Sequence, residues 1–325
     1  MTINKSLWVN RQNLKLGVSA FGLHGKKIGS IKQIVHDGDT LNTRLTHNLG
    51  VRFLGIDTPE TSFQFPGTQT FINLSDKKWD DFFRSGKWKE NFAIGQDLYH
   101  YFNNIIGNGK NVSKNHADLA GEAEKSLVKI INSDFKKSKK STRSFTFFMA
   151  FGNDFLDGYG RLLCYLNSAT DNFKNQKDKD EVKKFSYNER QLAAGWAVPY
   201  FIWPNIQPFL SIKAFLRENV LPKNFWTLIK KASKLHQARK FVGDARLSNK
   251  GIFNSTNPLK LMPFELRIIS RKKSPDRYVI DLRDEGNNVL LKPEEYIKIP
   301  HQEDRLHIPT EYVPIFQVFG WVIKQ

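Results

Sequence analysis

The 325-residue chain carries 50 lysines and arginines against 32 aspartates and glutamates, a formal charge of +18 that draws polyanions to its surface. A hydrophobic share of 40% and an aromatic share of 13% exclude a disordered chain, and the single cysteine, Cys164, excludes an intramolecular disulfide framework and a cysteine-based zinc cluster. No apolar run reaches signal-peptide or membrane-spanning length, so the chain is expected to be soluble and cytoplasmic, with nucleic acid (DNA or RNA) as partner and no membrane.

Residues 1–27 are polar and mixed and read as an N-terminal arm. From Ile28 the run IGSIKQIV reads as a strand ending at the turn Asp37-Gly38-Asp39. TLNTRLT then alternates as a second strand, Asn48-Leu49-Gly50 turns, and VRFLGI makes a third. Three short strands joined by tight turns suggest the start of a small antiparallel barrel. Residues 62–115 are an aromatic-rich stretch with Trp79, Phe82, Phe83 and Trp88, closing on the helix-like run FAIGQDLYHYFNNII. Leu119, Ala123, Leu127, Ile130 and Ile131 fall at helical spacing and predict an amphipathic helix. Strands resume at SFTFFMAF and RLLCYL around the loop DGYGR, and SYNERQLAAGWAV and FWTLIKKASKLHQARKF read as helices. After a break at NSTNPLKLMP, the runs FELRIISRK, YVIDLR, NVLLK and PIFQVFGWVI read as a compact β-rich module over residues 254–325, with no motif that carries chemistry.

The chemistry concentrates between Asp37 and Thr61, in DGDTLNTRLTHNLGVRFLGIDTPET. Hydrolysing a phosphodiester needs a cation against the charge building on the phosphoryl oxygens, an activated water, and donors to the non-bridging oxygens. Asp39 and Asp57 can hold a hard cation, and an all-oxygen donor set selects Ca²⁺ or Mg²⁺ over zinc. Glu60, set by Pro59, can work on a water, while Arg52 and Arg161 can grip a phosphate with their planar forks. Each piece also has a plainer reading. DGDT is a common hairpin turn, DTPET is a helix-entry sequence, and Arg161 can simply pair with Asp157. His301 and His307 flank Glu303 and Asp304, but nothing fixes them as a metal patch, and KKSKKSTR reads as a solvated basic loop.

VHDGDT, VRFLGIDTPET, DGYGR followed by LLCYL, and NERQLAAGWA follow one another as the motifs of the staphylococcal (thermonuclease) nuclease family do, and residues 28–253 resemble that family. The resemblance implies a mainly β plus α fold, a five-stranded OB-fold barrel with packed helices, carrying an insertion at 62–115 and followed by the β-rich module. It implies a calcium-dependent endonuclease acting on DNA and RNA with little sequence specificity and leaving 3′-phosphate ends. Position by position, Asp39 and Asp57 match the calcium carboxylates, the Thr58 carbonyl a further ligand, and Asp37 and Thr40 their supporting neighbours. Arg52, Arg161 and Glu60 match the catalytic residues, and Tyr159 a tyrosine on the nucleotide phosphate. Gly158 stands where the family carries a lysine. Phe201 and Trp203 fall near its nucleotide-stacking tyrosines, although with Ile202 they read equally as an apolar core cluster. The rival expectation is a non-catalytic nucleic-acid-binding scaffold of the same fold.

Overall fold

Short strands and helices make up a mixed α/β fold, and the computed structural model describes residues 5–9, 15–35, 40–45, 47–142, 144–169 and 185–324. Among the described residues the strands form separate sheets of two to four strands, with no closed barrel. The chain divides into two compact units, Met1–Phe53 with Asp154–Cys164, and Leu54–Asn153 with Tyr165–Gln325.

The first unit is built from short ladders. Leu7–Val9 pairs antiparallel with Lys15–Gly17, and Ser19–Phe21 with Thr43–Leu45. Val51–Phe53 runs parallel to the start of Leu162–Ser168, with Arg52 opposite Leu163. The run expected as a strand from Ile28 instead forms a one-turn helix, Ile31–Ile34. The Ser30 N–H donates to the Gln33 side chain at 2.9 Å, a capping box that favours helix over ladder here.

In the second unit a four-stranded sheet runs in the order Arg277–Asp281, Arg305–Pro309, Val198–Ile202, Gly55–Asp57. Asp57 lies opposite Val198 and Gly55 opposite Tyr200. The amphipathic helix is present as Val112–Ser138, burying Leu119, Ala120 and Ala123. Its last turn carries Lys136 and Lys137, so the basic run read as a loop begins inside a helix, where cations suit the C-terminal dipole.

Residues 62–115 and residues 254–325 share one core. Trp79, Phe83, Leu98 and Phe102 pack with Leu261, Leu266, Ile269 and Tyr296, all buried. Aromatic side chains of this size bury about 150–250 Å² each. Two segments of the C-terminal region expected as strands are helices, Pro263–Arg271 and Val313–Val318. Each has proline in its first turn, where the missing N–H costs nothing, and Glu265 caps the first helix by accepting from the Met262 N–H at 2.8 Å. FELRII imitates strand alternation, but proline at its head and glutamate three residues after Met262 are helix-start signals.

Phe201 and Trp203 lie in the core at 2% and 0% exposure. Trp203 meets Phe215, Tyr312 and Phe316 at ring separations of 5.1, 5.1 and 5.0 Å. Neither ring offers a face to a base in this structure, because both are buried.

Candidate active site

The strand Gly55–Asp57 delivers Asp57 to the sheet edge with its side chain fully buried, and the chain then turns through Thr58 and Pro59 to Glu60. The turn is tied at Glu60, whose backbone N–H donates to Nδ1 of His116 at 2.9 Å. That bond assigns the proton to Nε2, which donates to the Leu261 carbonyl at 3.1 Å. His116 thereby joins the long helix to both the turn and the C-terminal region.

Burial pushes His116 down to about 4, with the Asp57 charge only partly offsetting it. The unfolded imidazole takes its proton near 6.5 and the folded one only near 4, so acid favours the unfolded chain. The contribution of His116 to stability is complete above pH 6.5 and is lost as the pH falls through 4. The ring signals of His116 in NMR spectra are therefore expected to stay unmoved from pH 8 to about 5. A titration near the ordinary histidine value would contradict the buried neutral ring.

The residue that sequence reading missed is Arg267. It projects from the helix Pro263–Arg271 onto both carboxylates: Nη1 lies 3.2 Å from Asp57 Oδ1 and 3.2 Å from Glu60 Oε1, and Nη2 is ion-paired with Asp57 Oδ2. Burial, the largest single effect, works against its charge, but Asp57, Tyr200 and Glu60 together outweigh it and hold the guanidinium above its ordinary range. Its helix is fixed at both ends. Glu265 accepts from the hydroxyls of Tyr101 at 2.8 Å and Tyr296 at 2.9 Å, and Ser270 Oγ donates to the Gln64 carbonyl at 2.6 Å. The Arg267 guanidinium also stands 5.9 Å from the centre of the Tyr200 ring.

Arg52, Tyr159, Arg161 and Thr40 belong to the first unit. In the DGYGR turn, Asp157 Oδ1 accepts from the N–H groups of Tyr159 at 2.8 Å and Arg161 at 2.9 Å, and Oδ2 from Arg161 Nε at 2.7 Å. Gly160 is required here: its φ is +80°, and a Cβ would sit 2.8 Å from Trp8 Cα. The pairing of Arg161 with Asp157 is thus present. Among the described residues its side-chain hydrogen bonds run from Nε alone, and its guanidinium lies 5.2 Å from the half-exposed Tyr159 ring. Arg52 is half-buried in its strand, and Thr40 is exposed. Asp37 and Asp39 lie outside the described residues.

No family model, curated protein or solved structure matches this chain.

Among the described residues no group of three or more histidine, cysteine, aspartate or glutamate side chains is arranged to hold a metal ion. The donors that are described, the Asp57 carboxylate and the Thr58 carbonyl, are hard oxygens of the kind Ca²⁺ and Mg²⁺ take. Both Asp57 oxygens face Arg267. Arg246 and Arg239, from the helix Ser233–Leu247, pair with Glu303 and Asp304, so the acidic side chains near His301 and His307 are engaged in ion pairs. No helix among the described residues is long and apolar enough to cross a membrane.

Proposed function

We propose that the chain is a metal-dependent nuclease that hydrolyses phosphodiester bonds of DNA or RNA with little sequence specificity and leaves 3′-phosphate ends. The observation that carries this reading is the Asp57–Glu60 pair. One carboxylate is wholly buried and the other 24% exposed, and both lie against a nearly buried arginine in a protein of formal charge +18. Such a concentration of charged groups is costly to build for structure alone and is characteristic of sites that work on charged substrates.

On this reading Asp57 and the Thr58 carbonyl, with Asp39 and the support of Asp37 and Thr40, would hold Ca²⁺ or Mg²⁺. The bound cation would supply charge against the phosphoryl oxygens. Glu60, the more accessible carboxylate, orients the attacking water and accepts its proton. Arg52 and Arg161 hold the non-bridging oxygens through fork-shaped donors, and Tyr159 adds a hydroxyl toward the phosphate. The OB fold is the fold assignment that accompanies this reading.

A second reading, the non-catalytic nucleic-acid-binding scaffold, draws on one observation: with Arg267 in place, Asp57 has its charge matched without a metal. Incubating the purified protein with single-stranded DNA in calcium, in magnesium and in chelator separates the two. Cleavage that requires a divalent ion supports the nuclease; tight binding without cleavage in any of the three supports the scaffold.

A further inference from the structure

We propose that Arg267 is a built-in counter-cation of the Asp57–Glu60 pair, which a divalent cation must displace before it can bind Asp57. The inference rests on the nuclease reading, because that reading places a cation on Asp57.

The geometry allows one occupant at a time. Calcium sits about 2.3–2.6 Å from its oxygen ligands, and magnesium closer. Arg267 already spans Asp57 Oδ1 and Oδ2 and reaches Glu60 Oε1, so a cation chelated by both Asp57 oxygens would lie within the fork of the guanidinium. Two positive groups at that separation in a buried site repel strongly. His116 does not relieve the conflict, since it is buried neutral and its Nδ1 is taken by the Glu60 N–H.

Arg267 is also positioned with care. Its helix is anchored through Glu265 to Tyr101 and Tyr296 and through Ser270 to the Gln64 carbonyl, which fixes where the side chain starts. A surface arginine would meet a carboxylate only intermittently, whereas this one keeps 19% of its side chain exposed and faces a carboxylate with none. The Tyr200 ring, stacked on Phe264, stands 5.9 Å from the guanidinium in its carboxylate-bound position. Once displaced, its planar fork matches a phosphate, so cation loading and substrate capture become linked events at one residue.

The test is calcium binding measured by calorimetry without substrate, on wild type, Arg267→Gln and Asp57→Asn, each checked for folding by circular dichroism. If Arg267 sits on Asp57 for nine-tenths of the time or more, removing it raises calcium affinity about tenfold or more. Arg267→Gln is expected to bind at least that much tighter than wild type, and Asp57→Asn to lose the binding. A second measurement uses the unaltered protein: the guanidinium protons of Arg267, protected from solvent exchange in chelator, are expected to exchange fast in saturating calcium. Equal or weaker binding by Arg267→Gln, or guanidinium protons still protected in saturating calcium, overturns the proposal. Failure of the nuclease reading has a different signature, since wild type would then leave DNA uncut whatever its calcium affinity.

Discussion

Asp57→Ala is expected to destabilise the fold by about 3 kcal/mol, the lower end of the range for removing one member of a buried ion pair. The variant leaves Arg267 nearly enclosed and without its main counter-charge. Glu60 remains 3.2 Å away and compensates in part, which places the effect at the low end. The double variant Asp57→Ala with Arg267→Met removes both charges and is expected to recover most of the loss, because no uncompensated buried charge remains. Chemical denaturation of the four proteins in a double-mutant cycle reads the coupling directly. A coupling indistinguishable from zero would mean that the pair is not formed in solution.

Glu60→Gln is expected to have the opposite profile. If Glu60 handles the proton of the attacking water, its amide analogue slows cleavage by about 10²- to 10⁴-fold. Stability should change by less than about 1 kcal/mol, since the side chain is partly exposed and Arg267 keeps Asp57 as its partner. The backbone N–H that Glu60 donates to His116 is untouched by the substitution, so the turn stays tied. A folded Glu60→Gln protein that cleaves at the wild-type rate would remove Glu60 from the mechanism.

The residues differ in how far they could be read from sequence. Asp57 and Glu60 stood out because strand, turn and proline follow one another within a few residues, and local order of that kind survives folding. The helix Val112–Ser138 was legible from the spacing of its apolar side chains, although its buried face begins at Val112 and includes His116, a polar residue that periodicity does not flag. In Pro263–Arg271 the alternation of Phe264, Leu266 and Ile268 imitates a strand, while the signals that specify the helix are confined to the proline and glutamate at its start. Arg267 was out of reach for a different reason: it lies 210 residues from Asp57, and no short-range pattern encodes a contact made across that separation. The same holds for the shared core, where Trp79 and Phe102 find Leu266 and Tyr296 only after the chain has folded back. In Phe201 and Trp203 composition was informative and role was not, because an aromatic suits a base-stacking surface and a core equally well.

The most direct measurement is cleavage of an end-labelled single-stranded DNA by the purified wild-type protein, in calcium and again in excess chelator, with the product ends identified. The account predicts a ladder of fragments ending in 3′-phosphate that forms in calcium and is absent in chelator. DNA that stays intact in calcium and in magnesium while the protein binds it would contradict the account and leave the carboxylate pair with a structural role.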